Sequence, residues 1–253
     1  MTTTSEGAYF DRLVAETGEF NPFADRAWDS FAARFASVTN GTQALRVLDI
    51  GCGTGASKRI YAARASVYVG VDLSLGALRV ARARHRDNAW LQADGTRLPF
   101  RDGSFDVAAL SSVLHHVPDM TAMLSEARRV VQPGGLVFAF DPNVFHPAMA
   151  LFRHPSSPMY SAEGVSPHEQ PQHPKVLRAA FRDAGLTAVG QRCQSDLPYR
   201  AVAPKGLQRL LRAYNAADWV WEHIGAGRWF GAFVISWGRK PEAGREPSDP
   251  LRF

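Results

Sequence analysis

The sequence predicts an α/β fold, a mostly parallel sheet with helices on both faces. Three observations predict it. Residues 47–55 read Val-Leu-Asp-Ile-Gly-Cys-Gly-Thr-Gly, an apolar strand running into alternating glycines. Two further apolar runs, Val67–Asp72 and Ala89–Asp94, each end in an aspartate. From Leu45 onward, strand-like runs alternate with helical patterns, as crossover connections of a parallel sheet require.

The elements follow in order. Residues 8–38 predict two helices around a break at Asn21-Pro22, with Phe10, Leu13 and Val14 on one face of the first. Ala27, Phe31 and Phe35 recur at helical spacing in the second. Predicted strands are Leu45–Ile50, Val67–Asp72, Ala89–Asp94, Phe105–Leu110 and Leu136–Asp141, with helices near 55–64, 74–85 and 119–131. Ser74 stands where a helix cap is wanted. Pro133-Gly134-Gly135 reads as a turn. Residues 142–174 hold seven prolines and four histidines with no apolar period; so long an irregular stretch is functional or disordered. A helix at Lys175–Ala184, a strand at Leu186–Arg192, a helix at 206–224 and a strand at Trp229–Trp237 complete the fold. The 206–224 helix is expected to be amphipathic, with Leu207, Leu210, Leu211, Tyr214, Trp221 and Ile224 on one side. The expected organisation is a helical lid (1–40), a ligand-binding core (41–141), a substrate-side region (142–240) and a loose polar tail (241–253).

With 253 residues, 45% of them hydrophobic, the chain can bury a full core as one α/β domain. A net charge of +5 is modest. Its densest basic cluster, Arg79, Arg82, Arg84 and Arg86, reads as a solvated helix face. Basic and aromatic residues are not interleaved, which argues against nucleic acid as partner. Cys52 and Cys193 make no disulfide or zinc framework. The polar amino end lacks the apolar stretch of a signal peptide, and no window has the roughly 20 apolar residues of a membrane span. A cytoplasmic, reducing setting is expected.

Three strand ends with acids or glycines describe one crevice at the carboxyl edge of the sheet, suited to a ligand with a ribose and a base. Gly51, Gly53 and Gly55 let the backbone turn sharply and pass close to that ligand. The amides of the following helix start suit an anion. Asp72 can accept both ribose hydroxyls. Asp94 can accept from an adenine amine, with the amide of Gly95 or Thr96 on a ring nitrogen and Leu73 over one face of the base. A dinucleotide turn is usually GxGxxG; here the spacing is GxGxG, with Ala56 where the last glycine would fall.

The set Val47–Gly55, Gly70-Val71-Asp72-Leu73-Ser74, Ala93-Asp94-Gly95-Thr96-Arg97-Leu98-Pro99-Phe100, Ser104-Phe105-Asp106-Val107, Leu114-His115-His116-Val117-Pro118-Asp119 and Val131-Gln132-Pro133-Gly134-Gly135 resembles the class I S-adenosylmethionine-dependent methyltransferases. The branch it resembles includes the ubiquinone/menaquinone-type and many small-molecule methyltransferases. The resemblance covers roughly residues 45–141 and implies a Rossmann-like, seven-stranded sheet whose last strand is antiparallel. It implies S-adenosyl-L-methionine as cofactor, with Asp49 and the glycines by the methionine moiety, Asp72 on the ribose and Asp94 on the adenine. Ser111 would offer its carbonyl to the methionine amino group, and His116 matches a position where the family keeps a histidine near the methyl.

In-line transfer from a sulfonium asks the protein to place the acceptor, exclude water and often take a proton. His116 is the candidate base, with packing as the plainer role, and His115 would orient it. Asp141 would hold a histidine, bind a substrate hydroxyl or cap its own turn. His146, His154, His168 and His173 match no metal-ligand spacing, and Cys52 reads as a small filler. Residues Asp141-Pro142-Asn143, Ser166-Pro167-His168-Glu169 and Gly185-Leu186 loosely resemble methyltransferases of glycosylated or lipid-linked products. Tyr160, Tyr199, Tyr214, Trp219, Trp221 and Trp229 could wall an acceptor pocket or simply pack.

The expected function is methyl transfer to a small organic acceptor, on oxygen before nitrogen or carbon, in specialised-metabolite tailoring. The alternatives are a lipid- or quinone-type methyltransferase, a nicotinamide-dependent oxidoreductase, a macromolecule methyltransferase, and a binding protein without turnover.

Overall fold

A computed structural model describes residues 4–242 apart from 20, 161–164, 167 and 201–204. Most of the expected loose tail, from 243 onward, lies outside the described residues. In chain order the elements are α1 (Thr4–Thr17), α2 (Asp25–Val38), β1 (Leu45–Ile50), α3 (Lys58–Tyr61), β2 (Ala65–Asp72), α4 (Leu75–Arg84), β3 (Ala89–Gln92), β4 (Phe105–Ser111), α5 (Met120–Val130), β5 (Val131–Pro142), α6 (Pro147–Phe152), α7 (Pro174–Asp183), β6 (Thr187–Gln194), α8 (Leu211–His223), α9 (Gly227–Phe230) and β7 (Phe233–Arg239). The strands form one seven-stranded sheet in the order β3-β2-β1-β4-β5-β7-β6. Only β7 runs against its neighbours β5 and β6.

Strand alternation divides the core between the two faces. Val47 joins the cluster holding Phe31, Phe35, Tyr61 and Phe140. Leu48 and Ile50 turn to the opposite cluster, with Leu124, Ala127, Leu177 and Phe181 of α5 and α7. The apolar face predicted for α2, Ala27, Phe31 and Phe35, is buried; of the one predicted for α1, Val14 is buried and Phe10 and Leu13 are half-buried. Phe31 is fully buried and stacked on Phe140 with ring centres 4.3 Å apart. Ser74 accepts from the Ala77 amide at 3.0 Å, the cap its position predicted.

Several boundaries differ from expectation, each for a local reason. The helix expected over 55–64 is only one turn, Lys58–Tyr61. Positive φ angles at Gly51, Gly53 and Gly55 keep the chain coiled before it, and β2 begins at Ala65 just after it. Pro133-Gly134-Gly135 lies within β5, where the pairing with β4 jumps from Phe105↔Val131 to Val107↔Leu136. The extra residues are absorbed by an irregularity in the strand, with Gly134 at φ 75°. The last strand starts at Phe233 instead of Trp229, because residues 227–230 form a helical turn. Gly231 ends that turn where its Cα abuts the backbone of Gln194 too closely for any side chain.

Residues 142–174 contain a short helix, α6, and Asn143 forms a bridge to Gln172. The expected 206–224 helix divides into a 3₁₀ stretch, Lys205–Leu210, and α8. Its expected apolar side is buried only in part: Leu211 is buried and Tyr214 and Trp221 are half-buried, but Leu210 is 61% and Ile224 68% exposed, and the Leu207 side chain lies outside the described residues.

Replacing Phe31 by alanine opens a hole against Phe140, and urea unfolding should show a loss of about 3–5 kcal/mol. A loss below about 1 kcal/mol would place that ring outside the load of the core.

Candidate functional site

Alternation along β1 sends Asp49 to the Val47 side, into the protein and beneath the glycine loop. Its carboxylate is fully buried. Ser57 and Tyr68 donate to Oδ2, each at 2.6 Å, and Ser111 donates to Oδ1 at 2.6 Å. Because the Ser111 proton is used there, the Tyr61 hydroxyl is the donor in its 2.8 Å contact with Ser111 Oγ. Four elements of the fold thus converge on one acid. Asp49 is not among the residues that line the cavity described below; its three hydroxyl partners brace it beneath the loop. Ser57, Tyr61 and Tyr68 were not legible as its partners.

Above Asp49, the amides of Gly51 and Cys52 donate to the Val71 carbonyl at 2.8 and 3.1 Å, tying the loop to β2. Gly53 donates to Asp72 Oδ2 at 2.8 Å, and Ser74 donates to Oδ1 at 2.8 Å. Asp72 is therefore oriented by one amide on each oxygen, keeping further lone pairs for a ligand. At Gly53, φ is 52° and a Cβ would meet nothing within 4 Å, a bare stretch of backbone on the cavity wall. Gly51 faces Val113, where a Cβ would come within 2.5 Å. Gly55 is away from the cavity wall and packs on Trp90. The one-turn α3 offers little dipole, so anion binding falls to loop donors. Among these is the Thr54 hydroxyl, which is buried without a partner and which the sequence reading overlooked.

Asp94 Oδ1 accepts both the amide and the hydroxyl of Thr96, each at 2.8 Å. The Thr96 amide is thereby occupied, so of the two amides considered Gly95 is the remaining candidate donor. A side chain at Gly95 would strike Met123 and Ile50, at 2.7 and 2.8 Å. Leu73 lies under α1, against Gly7, and Asp11 of α1 accepts from Ser74 Oγ at 2.6 Å and the Gly76 amide at 2.8 Å. The first helix is docked over the end of β2. Ser111 ends β4, and the next residue, Ser112, adopts a left-handed φ of 58°. Non-glycine residues hold that conformation only under constraint. No glycine announced this turn in the sequence.

These groups wall one cavity of about 1440 Å³. Ligand sites usually measure about 300–1,000 Å³, so there is room for a nucleoside ligand and a second molecule together. Gly51, Gly53, Thr54, Asp72, Leu73, Asp94, Gly95, Thr96 and Ser111, the strand-end groups, line one side of it. Tyr9, Phe10, Leu13 and Val14 come from α1, and His115 and His116 from the 3₁₀ turn at Leu114–His116.

His116 Nδ1 lies 2.7 Å from Ser166 Oγ, and Phe10 meets its ring edge-on at 5.3 Å. Burial, with His115 and His168 nearby, holds its pKa well below the usual histidine value, so the ring is neutral at neutral pH. His115 Nδ1 is 2.9 Å from Asp141 Oδ1, which also accepts the His115 amide at 3.1 Å. The two imidazoles lie 3.9 Å apart at 40°. Asp141 is completely buried and away from the cavity wall. Of its three expected roles, holding a histidine is the one these contacts contain, and its other oxygen, Oδ2, is buried without a hydrogen-bond partner.

The far wall includes Trp28, Tyr199, Leu211, Tyr214 and Phe233. Of the expected aromatic set only Tyr199 and Tyr214 stand on it; Tyr160, Trp219 and Trp229 are 38%, 42% and 65% exposed, and Trp221 is not on the wall. The Trp28 indole nitrogen and the Tyr199 and Tyr214 hydroxyls are buried with no hydrogen-bond partner. Burial pushes both phenols up from their ordinary pKa, so they stay neutral donors. The four histidines of 142–174 have separate roles. His146 faces Asp218 at 3.4 Å, and His173 accepts the Lys175 amide at 3.1 Å. His154 accepts the Ser156 amide, and the His168 amide donates to Glu6. Among the described residues no cluster of histidine, cysteine, aspartate or glutamate suits a metal. Cys52 is buried among Gly70 and Trp90, and burial pushes its thiol pKa up.

Burial pushes Asp49 up to about 6 from 3.8, against the pull of its three hydroxyl donors. The folded state holds the extra proton between those values, so the stability due to this group is fully present below about pH 4 and lost as pH rises to about 6. Urea unfolding of wild type and Asp49→Asn from pH 4 to 7 should show their stability gap change by on the order of 3 kcal/mol, against wild type as pH rises. A constant gap would mean that Asp49 titrates normally.

Comparison with known proteins agrees with this architecture. A family model described as a methyltransferase domain matches residues 48–139. A demethylmenaquinone methyltransferase of Parafrankia sp. (strain EAN1pec) is 34% identical over 223 residues, 72% of this chain and 85% of the relative. For two further relatives of that name, the match spans 54% and 45% of their length. Among solved structures, a Haloferax volcanii methyltransferase in complex with the Trm112 activator superimposes with a TM-score of 0.64 at 21% identity, over 97% of this chain and 100% of that one. The cyclase SpnF superimposes with a TM-score of 0.63 at 18% identity, over 93% and 96%. The glycine loop, the strand-end acids and these likenesses agree: the chain belongs to the class I S-adenosylmethionine-dependent methyltransferases, on their quinone-methyltransferase-like side.

Proposed function

We propose that this methyltransferase acts on a small, largely apolar organic acceptor that carries a reacting hydroxyl and a second oxygen function, and that it methylates oxygen. The observation that carries this reading is the single cavity whose wall includes both the nucleoside cradle and the unpartnered Trp28, Tyr199 and Tyr214 donors. Each buried donor left unpaired costs about 1–3 kcal/mol. An acceptor oxygen, a carbonyl or carboxylate for instance, would satisfy them and orient the molecule. S-adenosylmethionine supplies an activated methyl group when bound. For it the chain offers Asp72 for the ribose hydroxyls, the free oxygen of Asp94 with Gly95 for the base, and Thr54 with the loop amides for the methionine end.

His116, neutral and on the same wall, is the proposed base for the acceptor hydroxyl, with His115 and Asp141 behind it. Helix α1 and the segment before β1 are the proposed lid, which would exclude water from the reaction. A second reading is methylation of a ring carbon on a quinol-type acceptor. The name of the 34% identical relative favours it, and loss of a hydroxyl proton would activate a ring carbon as well as oxygen.

Incubation with donor carrying ¹³C in the methyl group, against phenolic acceptors and demethylmenaquinol, separates the two readings by NMR. Oxygen-bound methyl signals support the first, carbon-bound signals the second, and label in neither class contradicts both. Asp72→Asn should weaken S-adenosylhomocysteine binding at least ~10-fold by calorimetry, as loss of a charged hydrogen bond implies; unchanged affinity would show that the ribose lies elsewhere. His116→Ala should lower kcat by about 10²–10⁴ with donor binding retained, whereas a rate within a few-fold of wild type would reduce the histidine to packing.

A further inference from the structure

The environment of His116 Nδ1 includes a group that the methyl-transfer chemistry has not yet used. Ser166 Oγ lies 2.7 Å from that nitrogen and donates to Glu6 Oε1 at 3.0 Å. Glu6 belongs to α1, Ser166 to the loop after α6, and His116 to the turn after β4. Glu6 is 5% and Ser166 3% exposed. The same Glu6 oxygen accepts the His168 amide at 2.8 Å, and the Ser166 amide donates to Glu169 Oε2 at 3.2 Å. The second Glu6 oxygen is buried without a hydrogen-bond partner, 4.0 Å from His116 Nδ1.

Counting protons fixes the tautomer. A serine hydroxyl has one proton and a carboxylate oxygen has none. The Ser166 proton is committed to Glu6, so the 2.7 Å contact requires Nδ1–H of His116 to donate to Oγ. The neutral imidazole then carries its lone pair on Nε2, for which no partner is found among the described residues.

We propose that Glu6 and Ser166 are positioning residues for His116: they hold it as the Nδ1–H tautomer and stabilise its cation, so that α1 supplies part of the base as it covers the cavity. This rests on the reading of His116 as the base. In the transfer the acceptor O–H bond breaks and its proton goes to Nε2. The oxygen pair forms the new bond to the methyl carbon, and the carbon–sulfur pair remains on sulfur. The imidazolium so formed keeps Nδ1–H on Ser166, with the Glu6 charge within reach. The charged and titratable groups around it include His115, backed by Asp141, and His168 and Glu169 of the loop, with Tyr9 and Arg153 on the same cavity wall. Of these, His115 and His168 oppose the cation, which is why a nearby carboxylate matters. A bare helix lid would need no buried acid at its tip. Nothing in the sequence pattern joined residues 6, 116 and 166.

The test is ¹⁵N NMR of histidine-labelled full-length protein, with calorimetric binding of S-adenosylhomocysteine as the check on folding and on the donor site. Wild type should show His116 as Nδ1–H at neutral pH. Ser166→Ala should shift the population toward Nε2–H, and Ser166→Thr should restore it. Glu6→Gln should lower the pH at which His116 protonates by about one unit, since an opposite charge within ~4–6 Å has been removed. A side chain that merely propped up the loop would move neither readout while donor affinity held. Nε2–H in wild type, or an unchanged tautomer in Ser166→Ala, overturns the relay. Absence of S-adenosylhomocysteine binding by wild type overturns the methyltransferase reading instead.

Discussion

The site depends on one buried group: a carboxylate sealed beneath a loop. Asp49 is buried by strand alternation, and burial of a charge is tolerable only when its oxygens are occupied. Hydroxyls from β2, β4 and the segment before α3 occupy them, and in doing so hold the chain after β1 in its coiled course. The glycines then need only permit that course. Amide contacts with Val71 and Asp72 complete the tie, so the acid proposed for the ribose and the backbone proposed for the methionine end are set by the same fastening. The GxGxG sequence works as a unit with groups well away from it in the chain.

Around this fixed half lies a second half built from less regular parts. α1, the 3₁₀ turn at Leu114–His116, the loop after α6 and α8 all contribute to one cavity; polar contacts join the first three through Ser166, and His146 before α6 faces Asp218 of α8. Asp11 pins α1 to the start of α4, and Glu6 pins its tip to Ser166. His115 is fastened to β5 through Asp141. Such a division is common to enzymes that keep one reagent and vary the other, with rigid strand ends for the shared ligand and loops for the variable one. The fold shared with a solved cyclase at a TM-score of 0.63 shows how little the sheet alone decides about chemistry.

Much of the fixed half was legible in the sequence, because its signals are local. Strand periodicity, the glycine spacing and the aspartates at 72 and 94 mark the crevice without any long-range information. Asp49 shows the limit. It stands beside the glycines in sequence, yet one step of alternation turns it inward, and its partners at 57, 68 and 111 share no pattern. Gly55 shows the same limit, since it faces Trp90. The 206–224 region shows another limit: a helical period reports apolar residues on one side but not whether core lies beneath each of them, and Leu210 and Ile224 have solvent there. The Glu6–Ser166–His116 contact, joining residues far apart in the chain, left no trace that spacing could reveal.

A crystal structure with S-adenosylhomocysteine bound tests the central claim most directly. The account predicts the ribose on Asp72, the adenine beside Asp94 and Gly95, and the amino acid end over Gly51–Thr54, with Asp49 still enclosed by Ser57, Tyr68 and Ser111. A ligand in direct contact with the Asp49 carboxylate, or a loop whose course changes on binding, would contradict it.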